Sequence, residues 1–347
     1  MTVLVTGGAG YIGSHMVHAL LAAGERVVVL DNLATGFDWA VAKGALLVIG
    51  DAGNPQLVAT LIAKHRVEAI IHFAASVVVE DSVRDPLGYY RNNTMNSRGL
   101  IETAVKEGVR HFIFSSTAAV YGNPERVPAH EDDATVPTSP YGSSKLMTEI
   151  MLRDAAVAHG LRHVILRYFN VAGADPLGRT GQSTKKATHL IKVSVEAALG
   201  LRPKVDVFGT DYPTPDGTCI RDYIHVSDLV RAHSDALTYL RRGGEPVTLN
   251  CGYGRGFSVL EVIETVKRVS GVDFQVELTG RRAGDPAQIV AASDRARALL
   301  KWQPHFDDLK TIVCHALAWE RKLLTRASRD QSMPSERISN ISSGSTG

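Results

Sequence analysis

A glycine-rich turn between a short strand and a helix restricts the fold of this chain more than any other stretch of its sequence. The segment Thr2 to Val5 is apolar and β-branched and predicts a strand, and Gly7-Gly8-Ala9-Gly10-Tyr11-Ile12-Gly13 follows it almost at once. Apolar residues then recur at helical spacing, at Ile12, Met16, Val17 and Leu20. Gly7, Gly10 and Gly13 allow a tight turn, a close approach to a pyrophosphate and close packing of the helix on the sheet. The segment therefore predicts a dinucleotide-binding turn at the first strand of a sheet.

An acidic residue at the end of the second strand indicates which dinucleotide is bound. Arg26 to Leu30 is predicted to be that strand, and Asp31 follows it, eighteen residues after Gly13. A carboxylate at this place accepts hydrogen bonds from the ribose hydroxyls of an adenosine and repels a 2′-phosphate. The spacing therefore favours NAD over NADP. The structural alternative is that Asp31 is a solvated turn residue beside Asn32.

Strands and helices alternate through the first half of the chain. Further strands are predicted at 46–49, 69–73, 111–116 and 163–169, with helices between them. This alternation predicts an α/β fold: a doubly wound parallel Rossmann sheet with a smaller α/β substrate-binding domain. We assign residues 1–170 to the NAD-binding domain, with returning segments near 226–251, residues 171–325 mainly to the substrate domain, and residues 326–347 to a disordered tail.

Longer loops follow Asn170. A helix is predicted from about Ala187 to Leu199, a long loop over Asp211 to Asp222, and a last helix over Asp307 to Leu324. Ser258 with Glu261 three residues later is a capping-box pattern at the start of a further helix. Because long loops in compact enzymes are usually functional, we expect this half of the chain to contact substrate.

A tyrosine and a lysine one helical turn apart are the candidate catalytic pair. Pro140 precedes Tyr141 at a helix-start position, so Tyr141 and Lys145 are predicted to lie on one helix face. A nearby ammonium favours the phenolate, so we expect Lys145 to lower the pKa of Tyr141 and make it a base. The apolar run from His111 ends in hydroxyl residues 115–117, which a buried strand delivers to the carboxyl edge of a parallel sheet, where α/β active sites lie. The alternatives are a solvated Tyr–Lys pair and hydroxyls that only bond the backbone of a turn.

The composition argues against several classes of protein. The chain has 347 residues, is 44% hydrophobic and carries a formal net charge of +2, so no broad electrostatic field favours nucleic acid or an anionic membrane. Cys219, Cys251 and Cys314 lie far apart without ligand spacing, which suits reduced thiols better than disulfides or a zinc site. We predict no metal site. We also predict a cytoplasmic location, since neither a signal peptide nor a membrane span is apparent.

Six motifs give the chain a family resemblance that runs from about Thr2 to Leu323. They are GGAGYIGSH at 7–15, LDNL at 30–33, FSSTAAVYG at 114–122, SPYGSSK at 139–145, LRYFN at 166–170 and DGTCIRDYIHV at 216–226. With them the chain resembles the extended short-chain dehydrogenase/reductases, and within these the nucleotide-sugar C4-epimerases. The resemblance implies an NAD-dependent isomerase that interconverts UDP-glucose and UDP-galactose through a 4-keto intermediate. Related dehydratases and decarboxylases carry acids where this chain has Ala118 and Ala119, so elimination has no proton donor here.

The resemblance also implies roles for individual residues. It assigns catalysis to Tyr141, Lys145 and Thr117, where Thr117 replaces a more usual serine. It assigns the cofactor site to Gly7, Gly10, Tyr11, Ile12, Gly13, Asp31, Asn32, Asp51, Ala52, Phe73, Ala74, Asn92, Tyr141, Lys145 and Tyr168. It assigns the UDP-sugar site to Thr117, Tyr141, Asn170, His189, Leu190, Phe208, Arg221, Arg282, Asp285 and Ile289. Arg221 and Arg282 suit a diphosphate clamp, although a solvated salt bridge is the alternative for each.

Two positions depart from the family pattern. Val77 stands where relatives often carry a lysine near the cofactor phosphates, so one phosphate contact is absent. Ile289 stands where relatives strict for UDP-glucose and UDP-galactose carry a tyrosine, so it is expected to leave room for an acetamido group. The alternative is that Ile289 belongs to a core strand.

Other functions stay open at this point. The same chemistry could act on a UDP-linked N-acetylhexosamine, pentose or uronic acid, or the chain could be a catalytically silent, dinucleotide-sensing regulator. The presence of Tyr141, Lys145 and Thr117 argues against the regulator. The resemblance implies a homodimer packed through the helices near 89–106 and 141–156.

Overall fold

The chain begins with parallel strands and the helices that connect them. The computed structural model describes residues 1–184, 187–282 and 284–332. The first elements are β1 (Thr2–Thr6), α1 (Tyr11–Ala22), β2 (Arg26–Asp31), β3 (Leu46–Ile49), α2 (Pro55–His65) and β4 (Val67–His72). Local chemistry starts α2, because the Asn54 side chain accepts a hydrogen bond from the Leu57 amide and Pro55 occupies the first helical position.

The same alternation continues to residue 168. The next elements are α3 (Val79–Arg84), α4 (Pro86–Tyr89), α5 (Asn96–Lys106), β5 (His111–Thr117), α6 (Pro140–His159) and β6 (Arg162–Tyr168). A π-helical segment, Tyr90–Met95, joins α4 to α5. Segments of this kind occur frequently at functional sites, and this one carries Asn92.

The rest of the chain forms a smaller lobe and returns once to the main sheet. Its elements are β7 (Asn170–Ala172), α7 (Leu190–Ala198), β8 (Lys204–Phe208), β9 (Ile220–His225), α8 (Val226–Arg241), β10 (Val247–Cys251), β11 (Gly256–Ser258), α9 (Val259–Ser270), β12 (Gln275–Thr279), β13 (Gln288–Ile289), α10 (Asp294–Leu300) and α11 (Leu309–Ser332). At the start of α9 the capping box of Ser258 and Glu261 is formed as predicted.

The main sheet has seven strands in the order β10, β6, β5, β4, β1, β2, β3. Every neighbouring pair in it is parallel. The chain runs outward from β1 in one direction through β2 and β3, and in the other through β4, β5 and β6. The strand order reverses between β1 and β4, and such a switch point opens a crevice for ligands at the carboxyl ends of the strands. The predicted doubly wound parallel sheet is confirmed.

Two apolar cores cover the two faces of this sheet. One includes Met16, Val29, Leu237 and Trp302, and so packs α1 and α8 on the sheet. The other includes Ile70, Leu100, Phe112 and Leu152, and so packs α5 and α6 on the opposite face. A third core, with Ile191, Val207, Val262 and Ile312, belongs to the smaller lobe. A sheet buried on both faces explains why its strands are apolar runs rather than alternating patterns.

Three boundaries differ from the prediction. The loop over Asp211 to Asp222 ends early, because β9 begins at Ile220 and pairs with β7, β11 and β13. The helix predicted from Ala187 begins at Leu190. The last helix, α11, continues to Ser332, so the first part of the predicted disordered tail is helical; residues 333–347 lie outside the described residues.

A helix that crosses a membrane must be both long and apolar throughout, and the helices within residues 1–184, 187–282 and 284–332 can be compared with that requirement. None of these helices is both.

Candidate active site

The glycine turn forms the base of the crevice at the switch point. Gly7 has a φ of 72°, and a Cβ atom on it would lie 2.6 Å from the amide nitrogen of Ala74, so the turn and the end of β4 touch backbone to backbone. A Cβ atom on Gly13 would lie 2.1 Å from the Gly7 carbonyl oxygen. Gly10 caps α1 without any side-chain hydrogen bond, which leaves the first amides of that helix available to an anion. These residues fit the pyrophosphate of a dinucleotide.

Asp31 is buried at the end of β2, so the alternative of a solvated turn residue is wrong. It is 8% exposed. Its Oδ2 accepts a hydrogen bond of 2.9 Å from the Ala9 amide, and its Oδ1 accepts one of 2.9 Å from the Leu33 amide. Each carboxylate oxygen keeps a further acceptor position for a ribose hydroxyl. Asp31 therefore holds the glycine turn in addition to the predicted ligand role.

The other predicted cofactor residues follow strand ends at the same edge of the sheet. Asn32 follows β2, Asp51 and Ala52 follow β3, Phe73 and Ala74 follow β4, and Tyr168 ends β6. Asn92 donates to Ser76 Oγ at 2.9 Å, which ties the π-helical segment to the loop after β4. Tyr11 donates to the Gly173 carbonyl at 2.7 Å. Val77 is exposed in the loop after β4 and offers no charge to a phosphate.

Thr117 and Tyr141 meet where β5 ends and α6 begins. Ser139 caps α6 by accepting from the Gly142 amide, and Pro140 takes the first position, so Tyr141 lies in the first turn as predicted. Thr117 Oγ1 accepts from the Ala119 amide at 3.1 Å. Burial raises the pKa of Tyr141 to about 12, and a hydrogen bond with Thr117 opposes that rise.

The sequence predicts that Lys145 lowers the pKa of Tyr141. In the chain without ligand this is wrong, because the pKa of Tyr141 is raised. Lys145 Nζ donates to the Ser115 carbonyl at 2.9 Å and lies 4.9 Å from the centre of the Phe114 ring. Burial lowers the pKa of Lys145 to about 7. The physical reason for the correction is desolvation, which disfavours the charged form of both side chains.

Two buried hydroxyls beside Thr117 have side-chain partners that local spacing does not reveal. Ser115 Oγ lies 3.0 Å from His233 Nε2 of α8, and Ser116 Oγ donates to Glu149 Oε1 of α6 at 2.5 Å. The alternative in which these hydroxyls only bond a turn is wrong for both serines. The partners are 118 and 33 residues away in sequence, so pattern reasoning missed them.

The predicted diphosphate-binding arginines both have acidic neighbours. Arg221 Nη2 lies 3.5 Å from Asp285 Oδ1. Arg282 Nε lies 3.1 Å from Glu80 Oε1 of α3, and its guanidinium carbon lies 3.7 Å from the centre of the Phe208 ring. In the chain without ligand, each of the two arginines therefore forms an ion pair with an acidic side chain. The Arg282–Glu80 pair is exposed and therefore weak, so a diphosphate can replace it. Arg221 is largely buried, and its contact with Asp285 is long, so the guanidinium keeps donors for a diphosphate.

The remaining sugar-side residues form two groups. Asn170, His189 and Leu190 line one cavity, in which His189 Nδ1 lies 2.8 Å from Gln182 Nε2. Ile289 is in β13 opposite Arg221 of β9. Ile289 is 6% exposed and packs in a cluster with Ala118 and Phe169. It therefore lies in a buried strand, as the alternative expected. Its neighbour Ala118 directly follows Thr117.

Comparison with known proteins gives a consistent result. Residues 3–252 match the model of the NAD dependent epimerase/dehydratase family. The chain is 59% identical over 321 residues to a UDP-glucose 4-epimerase of Azospirillum brasilense, covering 92% of each chain. A crystal structure of UDP-glucose 4-epimerase from Brucella ovis in complex with NAD has a TM-score of 0.89 at 44% identity, over 91% of this chain and 97% of that one. The UDP-Glc/GlcNAc 4-epimerase of Campylobacter jejuni has a TM-score of 0.81 at 49% identity, over 92% and 99%.

Proposed function

The chain belongs to the NAD dependent epimerase/dehydratase family, and from this membership we propose which residues carry its reaction. It is an isomerase that uses NAD to interconvert UDP-glucose and UDP-galactose by inverting C4. The observation that carries this function is the meeting of Tyr141 and Thr117 at the carboxyl end of β5, on the same edge of the sheet as the glycine turn. Ala118 and Ala119 follow Thr117, so the site has redox chemistry at one carbon without an acid for elimination.

Tyr141 is the base of the proposed reaction. As the phenolate it takes the proton of the sugar 4-hydroxyl, and it returns that proton once C4 has been inverted. Thr117 holds the same oxygen through its hydroxyl and relays the proton. The chemistry that NAD supplies when bound is the acceptance of a hydride from C4 and its return to the other face of the 4-keto sugar, with a positive charge that favours a nearby phenolate.

Positive charge is needed because burial works against the phenolate. A pKa of about 12 must fall by roughly five units for a base at neutral pH, which corresponds to about 7 kcal/mol. One positive charge about 5 Å from a phenol contributes on the order of 3 kcal/mol at an effective dielectric constant of about 20. The role of Lys145 is therefore to supply such a charge once the site is filled.

The smaller lobe holds the UDP part in this proposal, with residues 1–170 mainly binding NAD and 171–325 mainly binding substrate. When substrate binds, Arg221 leaves its ion pair with Asp285 and Arg282 leaves its ion pair with Glu80, and both guanidinium groups bind the diphosphate. Phe208 packs against the Arg282 guanidinium and Asp285 is then free for ribose hydroxyls. Asn170, His189 and Leu190 complete the site from the cavity that they share.

We also propose a homodimer and a cytoplasmic location. Five large apolar side chains of α4, α6 and the segment between α4 and α5 are exposed: Leu87, Met95, Met147, Ile150 and Val157. α6 packs against α4 and against the segment between α4 and α5, and exposed apolar residues on neighbouring helices favour a protein interface. Free thiols at Cys219, Cys251 and Cys314 support a reducing compartment.

Incubation with several UDP-sugars tests the function. We expect UDP-galactose and UDP-glucose to reach one equilibrium mixture from either side, measured by NMR at the sugar C4 proton. A protein that binds NAD but converts no UDP-sugar, and exchanges no hydride with bound nicotinamide, would be the dinucleotide-sensing regulator instead.

A further inference from the structure

A buried carboxylate lies beneath the catalytic end of the sheet, and the proposed reaction does not use it. Glu149 is on α6, four residues after Lys145, and is fully buried. A buried charge is costly unless it is paired and hydrogen-bonded. Arg167 of β6 provides the pairing: its Nε lies 3.0 Å from Glu149 Oε1 and its Nη2 lies 2.6 Å from Oε2. This two-point contact holds both side chains in one orientation.

Glu149 also holds the end of β5. Ser116 Oγ donates a hydrogen bond of 2.5 Å to Glu149 Oε1. The residues on either side of Ser116 act at the site, because the Ser115 carbonyl accepts from Lys145 Nζ at 2.9 Å and Thr117 bonds Tyr141. The three strand residues are consecutive, so a shift of Ser116 displaces the acceptor of Lys145 and the hydroxyl of Thr117 together.

The network continues away from the site and anchors Arg167. Arg167 Nη1 donates to Tyr121 OH at 3.0 Å, and Tyr121 OH donates to Asn250 Oδ1 at 2.7 Å. Asn250 is on β10, the strand beside β6. The hydrogen bonds therefore connect α6 and β5 to two further strands of the sheet. Because Glu149 is held in this network, it holds the end of β5 in one position.

Glu149 also affects the protonation of Lys145 through its negative charge. Burial lowers the pKa of Lys145 to about 7, and the Glu149 carboxylate opposes this by favouring the ammonium. The other ionisable groups packed around the two are His72 of β4, Tyr141 of α6, Arg167 and Tyr168 of β6, and His233 of α8. Burial lowers the pKa of His72 to about 3 and that of His233 to about 4, so both are neutral at physiological pH.

We propose that Glu149 is a positioning residue for the reaction: through Ser116 and through its charge it keeps Thr117 and Lys145 in the places and states in which they serve Tyr141. The inference rests on the proposed function, since it takes Tyr141, Lys145 and Thr117 as the catalytic residues. In this proposal Glu149 acts only through its protein partners, because its side chain is fully buried and bonded to Ser116 and Arg167.

Ser116→Ala tests the hydrogen bond while it leaves the Glu149–Arg167 pair intact. We expect kcat for UDP-galactose to fall roughly tenfold to a hundredfold, because small displacements of catalytic groups have effects of this order, and KM to change less than about twofold. The matched control is Ser194→Ala, the same substitution at a fully buried serine of α7. It is expected to keep the parent kcat.

Glu149→Gln tests the charge while it keeps an acceptor for Ser116. The pKa of Lys145 is measured by NMR of protein labelled with carbon-13 at lysine Cε, with the signal assigned by its absence from Lys145→Met. We expect the Lys145 pKa to fall by about one unit or more. The protonated lysine is needed, so the alkaline limb of the kcat profile should move to lower pH. In Ser116→Ala that limb should stay in place.

The outcomes separate this proposal from the proposed function. A Ser116→Ala protein with the kcat of Ser194→Ala, or an unchanged Lys145 titration in Glu149→Gln, overturns the positioning role. If Glu149→Gln does not fold, the Ser116→Ala result alone decides. A parent protein that converts no UDP-sugar overturns the proposed function instead, and the Lys145 titration, which needs no substrate, still tests Glu149.

Discussion

Tyr141, the proposed base, lies in an environment that opposes its ionisation. It is buried beside Thr117, its pKa is raised to about 12, and the neighbouring Lys145 itself has a pKa lowered to about 7. Both shifts have one cause, the removal of charged groups from water. In this proposal Tyr141 becomes a base only when further positive charge enters the site. Proton transfer to Tyr141 therefore depends on binding of the oxidised cofactor.

The Tyr141→Phe variant should keep the fold and NAD binding but lose at least about two orders of magnitude in kcat, the usual effect of deleting a general base. Activity is measured with UDP-galactose, and folding by thermal unfolding. Tyr239→Phe is the control, since the Tyr239 hydroxyl bonds the Glu245 carbonyl on the surface. A Tyr141→Phe protein within tenfold of the parent would remove Tyr141 as the base.

The Lys145→Met variant should shift the pH optimum upward. The ammonium favours the phenolate, so without it the pKa of Tyr141 is higher and the rate reaches its plateau at higher pH. The measurement is kcat against pH, with Lys106→Met, an exposed lysine paired with Glu102, as control. If the acidic limb coincides with that of the parent, Lys145 does not tune the base.

Ile289 is the residue that we expect to set sugar size. It packs beside Ala118 and has no ring or hydroxyl to occupy the space of a 2-acetamido group. We predict that the parent accepts UDP-N-acetylgalactosamine and that Ile289→Tyr lowers kcat/KM for it at least about tenfold, a cost of the size expected for overpacking a buried site. UDP-galactose is the internal control. Equal activity of parent and variant on the N-acetyl sugar would exclude Ile289 as the gate.

The proposed cofactor site is built by the β1–turn–α1 unit together with the end of β2. Asp31 Oδ2 accepts from the Ala9 amide, and Gly7 touches the backbone after β4, so one turn is held from two neighbouring strands. Close packing of this kind admits no Cβ atom at Gly7 or Gly13. The unit is thus shaped before any ligand arrives, which lowers the entropic cost of binding.

Asp31→Ala should weaken NAD binding and admit NADP, because the carboxylate that binds ribose and repels a 2′-phosphate is lost. Dissociation constants for both dinucleotides, from calorimetry, provide the measurement. Asp38→Ala is the control, since the exposed Asp38 bonds only its neighbour's amide in the same loop region. Unchanged NAD affinity in Asp31→Ala would take Asp31 out of the ribose site.

The two lobes of the molecule are connected by contacts that surround the crevice. On one side Trp319 of α11 stacks against Trp39, which lies between β2 and β3, with ring centres 6.4 Å apart. On the other side Arg282 pairs with Glu80. The first contact is largely apolar and the second is an exposed ion pair, so the second is the easier one to open for a nucleotide.

The purified protein should carry bound NAD and need no net oxidant, since each turnover returns the hydride that it removes. Cofactor released by denaturation is quantified by chromatography and compared with the protein concentration. The absent phosphate contact at Val77 makes partial occupancy possible, in which case added NAD raises the rate. Protein free of cofactor that epimerises without added NAD would contradict the mechanism.

Local chemistry in the sequence was enough to locate the elements that build the site. Glycine sterics identify the turn after β1, Pro140 identifies the start of α6, and Ser258 with Glu261 identifies the start of α9. Each of these signals acts within one helical turn. The parallel direction of the strands followed from the β–α alternation, because parallel neighbours need helical crossovers.

Tertiary packing decided the rest. The first residues of β9 fall in the stretch that the sequence predicts as a loop, and pairing with β7, β11 and β13 makes them part of a strand. In the stretch after Leu324, where the sequence predicts disorder, α11 continues and the Arg326 guanidinium lies 4.0 Å from the centre of the Trp39 ring. The direction of the Tyr141 pKa and the bond from Ser116 to Glu149 depend on burial and on partners distant in the chain, which no local spacing encodes.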